Sequence, residues 1–265
     1  MMKPYRTLSA LWALAVLLSG SCSRKEEAPA MQWHVSVEAG ATKALSIVGD
    51  QLSTYWESTD KVAVVSSTDI VGTLDVAPNA MDNTQAALSG NVWGIYDVGD
   101  DFELYYPTVA RTYVGQKGTL ADLSANFTFL KASTSVTAVS GRDLTMAPAY
   151  FTHCAAYCHF TFTNASNGDA PITGIKTVQV ASQNNHTTRL VSVDGTVTEG
   201  EIQVNPNAPY PSEVYFAIHD AQAGVEKYRI YVTDSADYIF RGYFEQNIED
   251  GHFYECTLSL SQYYP

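Results

Sequence analysis

Apolar and polar residues alternate in short runs along most of the chain, the period-2 pattern of strands with one buried face. Val35-Ser36-Val37, Val62-Ala63-Val64-Val65 and Phe102-Glu103-Leu104-Tyr105-Tyr106 lie in the first half. Phe160-Thr161-Phe162, Val178-Gln179-Val180, Tyr228-Arg229-Ile230-Tyr231-Val232 and the run from Tyr254 to Leu260 lie in the second. β-Branched and aromatic side chains dominate these runs because they pack well on a pleated, half-buried surface. Turn chemistry separates them, as at Gly49-Asp50, Gly99-Asp100, Gly141-Arg142-Asp143, Asn167-Gly168-Asp169, Asp194-Gly195 and Asp250-Gly251. There Gly supplies positive φ, and Asn or Asp bonds its own backbone. Such spacing predicts an all-β chain of sandwich type rather than alternating strands and helices. Only 118–126 is compatible with a helical turn. Polar Ser140-Gly141-Arg142-Asp143, then Pro148 and a fresh strand at Tyr150, predict a boundary that divides the body into 31–148 and 149–265. Both units have an ordinary sandwich size.

The first residues break this pattern. Lys3 and Arg6 precede an apolar run from Leu8 to Leu18, and Ser19-Gly20-Ser21-Cys22 follows. This is the layout of a secretory signal, and the run falls short of the roughly 20 apolar residues a membrane helix needs. Residues 1–21 are therefore read as a cleaved signal peptide. Small residues directly before a cysteine match a lipobox, which predicts that Cys22 is acylated, with palmitate among its chains, and becomes the first mature residue. Acyl chains at about 0.8 kcal/mol per buried CH₂ anchor a protein firmly without spanning the bilayer. Residues 22–30, with Ser23-Arg24-Lys25-Glu26-Glu27, read as a solvated tether. Their lysine and acidic residues resemble the signal that sends lipoproteins to the outer face of the outer membrane.

The chain carries 28 Asp and Glu against 15 Lys and Arg, a formal charge of -13. Losing Lys3 and Arg6 with the signal moves this from -13 to -15. Nucleic acid is excluded as a partner, because a polyanion needs Lys/Arg stripes. Apolar content of 46% and aromatic content of 12% suffice for real cores.

His153-Cys154 and Cys158-His159 form the one cluster with metal-ligand residue types. On an extended strand Cys154 and Cys158 share a face about 13 Å apart, too far for one zinc or one disulfide. No metal is expected; the thiols are read as buried, or as a cross-strand Cys158–Cys256 pair. Asp97, Asp100, Asp101 and Glu103 lack the spacing of a calcium loop and read as a solvated turn. No nucleophile elbow, phosphate-cradling Gly loop or zinc-protease helix is present, so neither catalysis nor a cofactor is expected. Trp56 is read as core. Seventeen tyrosines either fill half-exposed sheet positions or offer ring faces to a host glycan or protein.

Ala41-Thr42-Lys43-Ala44-Leu45, the run from Leu52 to Val64 with Trp56 and Asp60-Lys61, Leu88-Ser89-Gly90, Leu104-Tyr105-Tyr106-Pro107 and Gln116-Lys117-Gly118-Thr119-Leu120 follow one another in the first half. Phe151-Thr152-His153 with Ala156, Pro171-Ile172-Thr173-Gly174-Ile175 and Gly251-His252-Phe253-Tyr254 follow in the second. In this order they resemble the fimbrillin family, lipoprotein subunits and accessory proteins of type V pili of Gram-negative anaerobes. The resemblance implies two tandem transthyretin-like Greek-key β-sandwich domains. It also implies assembly by strand complementation, in which a protease removes the first strand and a neighbour's extended segment fills the groove.

Here the excised strand would be roughly Trp33 to Lys43, cut between Lys43 and Ala44, since Lys43 is the only Lys or Arg between Lys25 and Lys61. The alternative is a solvated turn at Lys43. Beyond Leu260 only Ser261-Gln262-Tyr263-Tyr264-Pro265 remain, where a donor strand needs about ten residues at roughly 3.3 Å each. Unless the last strand is itself the donor, that asymmetry suits a tip or accessory subunit. Asp234-Ser235-Ala236 resembles the O-glycosylation acceptor of such bacteria, with Ser235 as the modified residue. The expected function is thus a surface lipoprotein of the outer membrane, a fimbrial subunit that meets other pilus subunits and contributes to adhesion. The alternative is a non-polymerising surface lipoprotein that binds a carbohydrate or host protein.

Overall fold

A computed structural model describes residues 31–40, 46–48, 51–53, 55–107, 109–221 and 223–264. Strand dominates it. The first half runs through β1 (Met31–Gly40), β2 (Ser46–Val48), β3 (Gln51–Ser53), β4 (Lys61–Ser66), β5 (Asp69–Pro78), β6 (Gln85–Gly94), β7 (Asp101–Tyr106) and β8 (Arg111–Thr112). After the short helix α1 (Leu120–Asn126) come β9 (Leu130–Ser140), β10 (Asp143–Met146), β11 (Ala149–Tyr150) and β12 (Thr152–His153). The alternating runs read from the sequence fall on these strands.

The main sheet of this half has the order β10-β1-β6-β5-β4-β7-β9, and β10 also pairs with β9, which closes the ring. Closure removes the free backbone edges that an open sheet presents. The long strand β9 makes it possible: its first half pairs with β7 at Leu130–Ser135, its second with β10 at Val136–Ser140. Inward residues form one core of Val35, Trp56, Leu74, Leu88, Phe102 and Leu104, among others. Trp56 is buried there, edge-on to Tyr106 and Phe151 at 5.7 and 5.2 Å.

The second half contains β13 (Ala156–Asn164), β14 (Ala170–Pro171), β15 (Ile175–Ser182), β16 (Thr188–Val191), β17 (Val197–Glu199) and β18 (Ile202–Val204). It ends with β19 (Glu213–Ile218), β20 (Val225–Asp234), β21 (Ile239–Asn247) and β22 (Phe253–Tyr263). The order is β13-β22-β21-β20-β15-β18, with β19 on the other side of β13. Its apolar core includes Phe160, Phe162, Val178, Phe216, Tyr228 and Ile230.

Among the described residues, this second sheet is not closed by its own strands. Asn205 N–H, just past β18, donates to Gln116 C=O at 2.8 Å, and Tyr215 N–H of β19 donates to Gly118 C=O at 3.0 Å. One first-half segment is therefore bonded to both ends of the second sheet. Gln116 is fully buried, and its side-chain amide copies a peptide group. Its Nε2 donates to Ala217 C=O at 2.8 Å and to Tyr113 C=O at 2.9 Å, and its Oε1 accepts from Ala217 N–H at 2.6 Å. Gly118 has φ +73°, and an added Cβ would press on Pro206, so glycine is required there. Thr119 then caps α1, accepting from Asp122 N–H at 3.1 Å. Tyr113, Leu123, Phe127 and Phe129 all pack into the second core.

Candidate assembly site around the first strand

β1 sits between two strands that come later in the chain. It pairs antiparallel with β6 along its whole length, from Met31 opposite Gly94 to Gly40 opposite Gln85. On its other side it runs parallel to β10 over His34–Ser36 and to β11 over Ala39–Gly40. The period-2 alternation decides which side chains enter the core: Trp33, Val35, Val37 and Ala39 are buried, while Gln32, His34, Ser36 and Glu38 face solvent. Full burial of side chains this size contributes about 1.5–3 kcal/mol each for the larger ones. Trp33 Nε1 also donates to Gly94 C=O at 3.0 Å.

The β6 side is continuous and the β10 side is not. Pairing lapses at Val37 and Glu38, between the Ser36–Thr145 and Ala39–Ala149 pairs, where the partner chain passes Pro148, a residue with no N–H to give. Two recesses of about 490 and 360 Å³ open there, both lined by Glu38 and Pro148, one also by Tyr150 and the other by Met146. β1 is thus held by an apolar slot and one full ladder, and is weakly bonded on its second side.

Cys22, Lys43 and Ala44 lie outside the described residues. Ser235 is exposed on the turn between β20 and β21, where Asp234 Oδ1 accepts from Ala236 and Tyr238 N–H at 2.9 Å each. The acidic residues at 97–101 form a turn bonded to itself, Asp97 N–H donating to Asp100 Oδ2 at 2.8 Å. Cys154, Cys158 and Cys256 are free. The register explains the missing bridge, since Cys158 lies opposite Tyr254 and Cys256 opposite Phe160, two residues out of step. Burial pushes the Cys158 thiol well up. Among the described residues no three His, Cys, Asp or Glu side chains gather as a metal site would require.

Sequence reasoning missed a polar cluster where the halves meet. His153 Nδ1 lies 3.1 Å from Tyr157 Oη, and His219 Nδ1 lies 2.8 Å from Asp250 Oδ1. Burial pushes His153 down to about 4, against the opposing pull of the Asp250 charge. A histidine neutral when folded and titrating near 6.5 when unfolded contributes stability above pH 6.5 that is lost as pH falls towards 4. The loss amounts to about 3 kcal/mol. His153→Gln keeps a polar partner for Tyr157 and removes the titration. Its thermal midpoint should therefore fall less steeply than that of the unsubstituted protein between pH 6.5 and 4, and parallel curves would refute the assignment.

No protein-family model matches the chain, and no curated protein matches it. Solved structures do. A protein named for cell adhesion from Bacteroides ovatus ATCC 8483 superposes with a TM-score of 0.50 at 16% identity, over 87% of this chain and 95% of that one. The chain shares the fold of that adhesion-named protein. A fimbrial assembly protein from Parabacteroides distasonis ATCC 8503 gives a TM-score of 0.42 at 7% identity, over 86% and 90% of the two chains. The tip fimbrial protein Mfa3 from Porphyromonas gingivalis, truncated at its C-terminus, gives 0.36 at 9% identity, over 81% and 82%. At these identities the likeness concerns the fold alone.

Proposed function

We propose that this chain is a fimbrillin-type surface subunit that assembles with other pilus subunits by β-strand complementation at the slot occupied by β1, and contributes to adhesion. The observation that carries the reading is β1 itself, a leading ribbon with four apolar residues in a closed sheet, bonded fully on one side and intermittently on the other. Its removal would leave an apolar groove and two unpaired edges, the surface that an extended donor satisfies. In this reading the body comprises two Greek-key sandwiches of transthyretin type, 31–148 and 149–265, with β11 and β12 of the second range completing the first sheet and the segment around Gln116 lent to the second. Cys22 carries the lipid that holds the protein at the outer membrane, Lys43–Ala44 is the cut, and Ser235 is a glycan acceptor.

β22 bears on the role within the fibre. It is internal to its sheet, paired with β13 over Phe253–Leu260 and with β21 over Ser261–Tyr263, so it is not free to leave as a donor. A subunit that accepts a strand at the β1 slot and keeps β22 within its own sheet fits a tip or accessory position. Limited trypsin digestion of the purified protein tests the reading. The expected result is release of the segment ending at Lys43, followed by a ladder of oligomers. A cleaved protein that stays monomeric at high concentration would count against assembly and favour a non-polymerising binding protein.

A further inference from the structure

The outward face of β20 and β21 differs in charge from the rest of the molecule. In a chain of formal charge -13, its outward positions carry Lys227, Arg229 and Arg241 against the single carboxylate of Glu245. The hairpin register sets Arg229 opposite Tyr243 and Tyr231 opposite Arg241, so cations and rings alternate in two directions. The Arg241 guanidinium lies 5.0, 5.8 and 5.9 Å from the ring centroids of Tyr243, Tyr231 and Tyr263. Arg229 lies 5.5 Å from Tyr231, and the Lys227 ammonium 5.1 Å from Tyr243.

Lys227 has an acidic partner, Glu245 at 3.5 Å. Arg229 and Arg241 form no ion pair among the described residues, and Arg241 Nε is buried without a hydrogen-bond partner. Tyrosine rings hold both guanidinium groups without neutralising them, so their charge remains able to attract a carboxylate or sulfate. The charges are separated by rings and are not contiguous. A ligand whose acid groups are spaced by uncharged, hydroxyl-bearing bulk matches that pattern, whereas a phosphodiester with continuous charge meets the repulsion of an acidic protein.

We propose that this face binds an acidic polysaccharide, its carboxylates or sulfates held by Arg229 and Arg241 and its sugar rings resting among Tyr231, Tyr243 and Tyr263. The inference supplies a ligand class for the adhesive part of the function proposed above. It does not depend on assembly, because the face lies in the second sheet, apart from β1, and uncleaved monomer should bind.

The test measures binding of the uncleaved protein to immobilised polygalacturonate, heparin, dextran and poly-glutamate. The expected result is retention by one or both acidic polysaccharides, weakening as salt rises, with none on dextran and little on poly-glutamate. Arg229→Gln with Arg241→Gln should weaken that retention about tenfold or more. Lys61→Gln with Lys131→Gln, an equal charge change on exposed positions of the first sheet, should leave it intact. Thermal midpoints report whether each variant folds, and the exposed Arg229→Gln alone gives the same test with a smaller loss. Absence of binding to both acidic polysaccharides, equal binding to poly-glutamate, or retention unaffected by the arginine changes would overturn the proposal. Loss of ladder formation with polysaccharide binding intact would overturn only the assembly reading.

Discussion

Gln116→Leu is expected to destabilise the protein by roughly 3–6 kcal/mol, although leucine is apolar and of similar volume and the site is fully buried. The change leaves Ala217 N–H, Ala217 C=O and Tyr113 C=O without their partner, and each orphaned buried group costs about 1–3 kcal/mol. Gln116→Glu should do no better at neutral pH, since it sets a carboxylate against two carbonyls and removes their donor. Urea unfolding measures both. A loss below about 1 kcal/mol for the leucine variant would show that the amide is incidental to the closure. The same geometry implies that 149–265 alone is incomplete, lacking Tyr113, Leu123, Phe127 and Phe129 from its core.

The second large effect is expected at Val35, the centre of β1. Val35 is fully buried, opposite Gly90 on β6 and Leu144 on β10. Val35→Asp places a carboxylate with no partner in an apolar slot, a change costing on the order of 4 kcal/mol or more. The rest of the first sheet keeps its ladders from β6 round to β9, so the damage should be local. Hydrogen exchange should show the amides of 31–40 losing protection while those of β5, β4 and β7 retain theirs. Uniform loss of protection across both halves would mean that β1 is an inseparable part of one cooperative unit.

Much of the fold was legible because period 2 is a local property. Val35 and Val37, Phe102 and Leu104, and Ile230 and Val232 announce their inward faces in the sequence, and all are buried. The stretch 118–126 announces a helical turn, and Trp56 announces core. Pairing partners are not local. Nothing near Cys158 or Cys256 reveals that parallel strands bring them two residues out of step, and nothing near His34 reveals a parallel neighbour at Asp143.

The same limit hid the role of Gln116. A polar residue between Gly115 and Gly118 reads as loop, because the two strand ends that it joins lie roughly ninety or more residues further along. The Arg–Tyr face was half visible. Arg229 and Tyr231 alternate on one strand and Arg241 and Tyr243 on the next, but only the register makes them a checkerboard. Of the candidate site, the leading ribbon was legible as a strand at Val35-Ser36-Val37, within Met31–Gly40. The lapse in its pairing at Val37 and Glu38 was not, because it lies against the stretch from Met146 to Pro148, more than a hundred residues away.

On the proposed reading, β1 fills a slot that another extended peptide can fill. The direct measurement is binding of a synthetic Met31–Gly40 peptide to protein from which residues 1–43 have been removed, followed by titration and by the thermal midpoint. The predicted result is saturation at one peptide per chain, a raised midpoint, and no binding by the same peptide carrying Val35→Asp. A truncated chain that keeps the midpoint of the full protein and ignores both peptides would contradict the account.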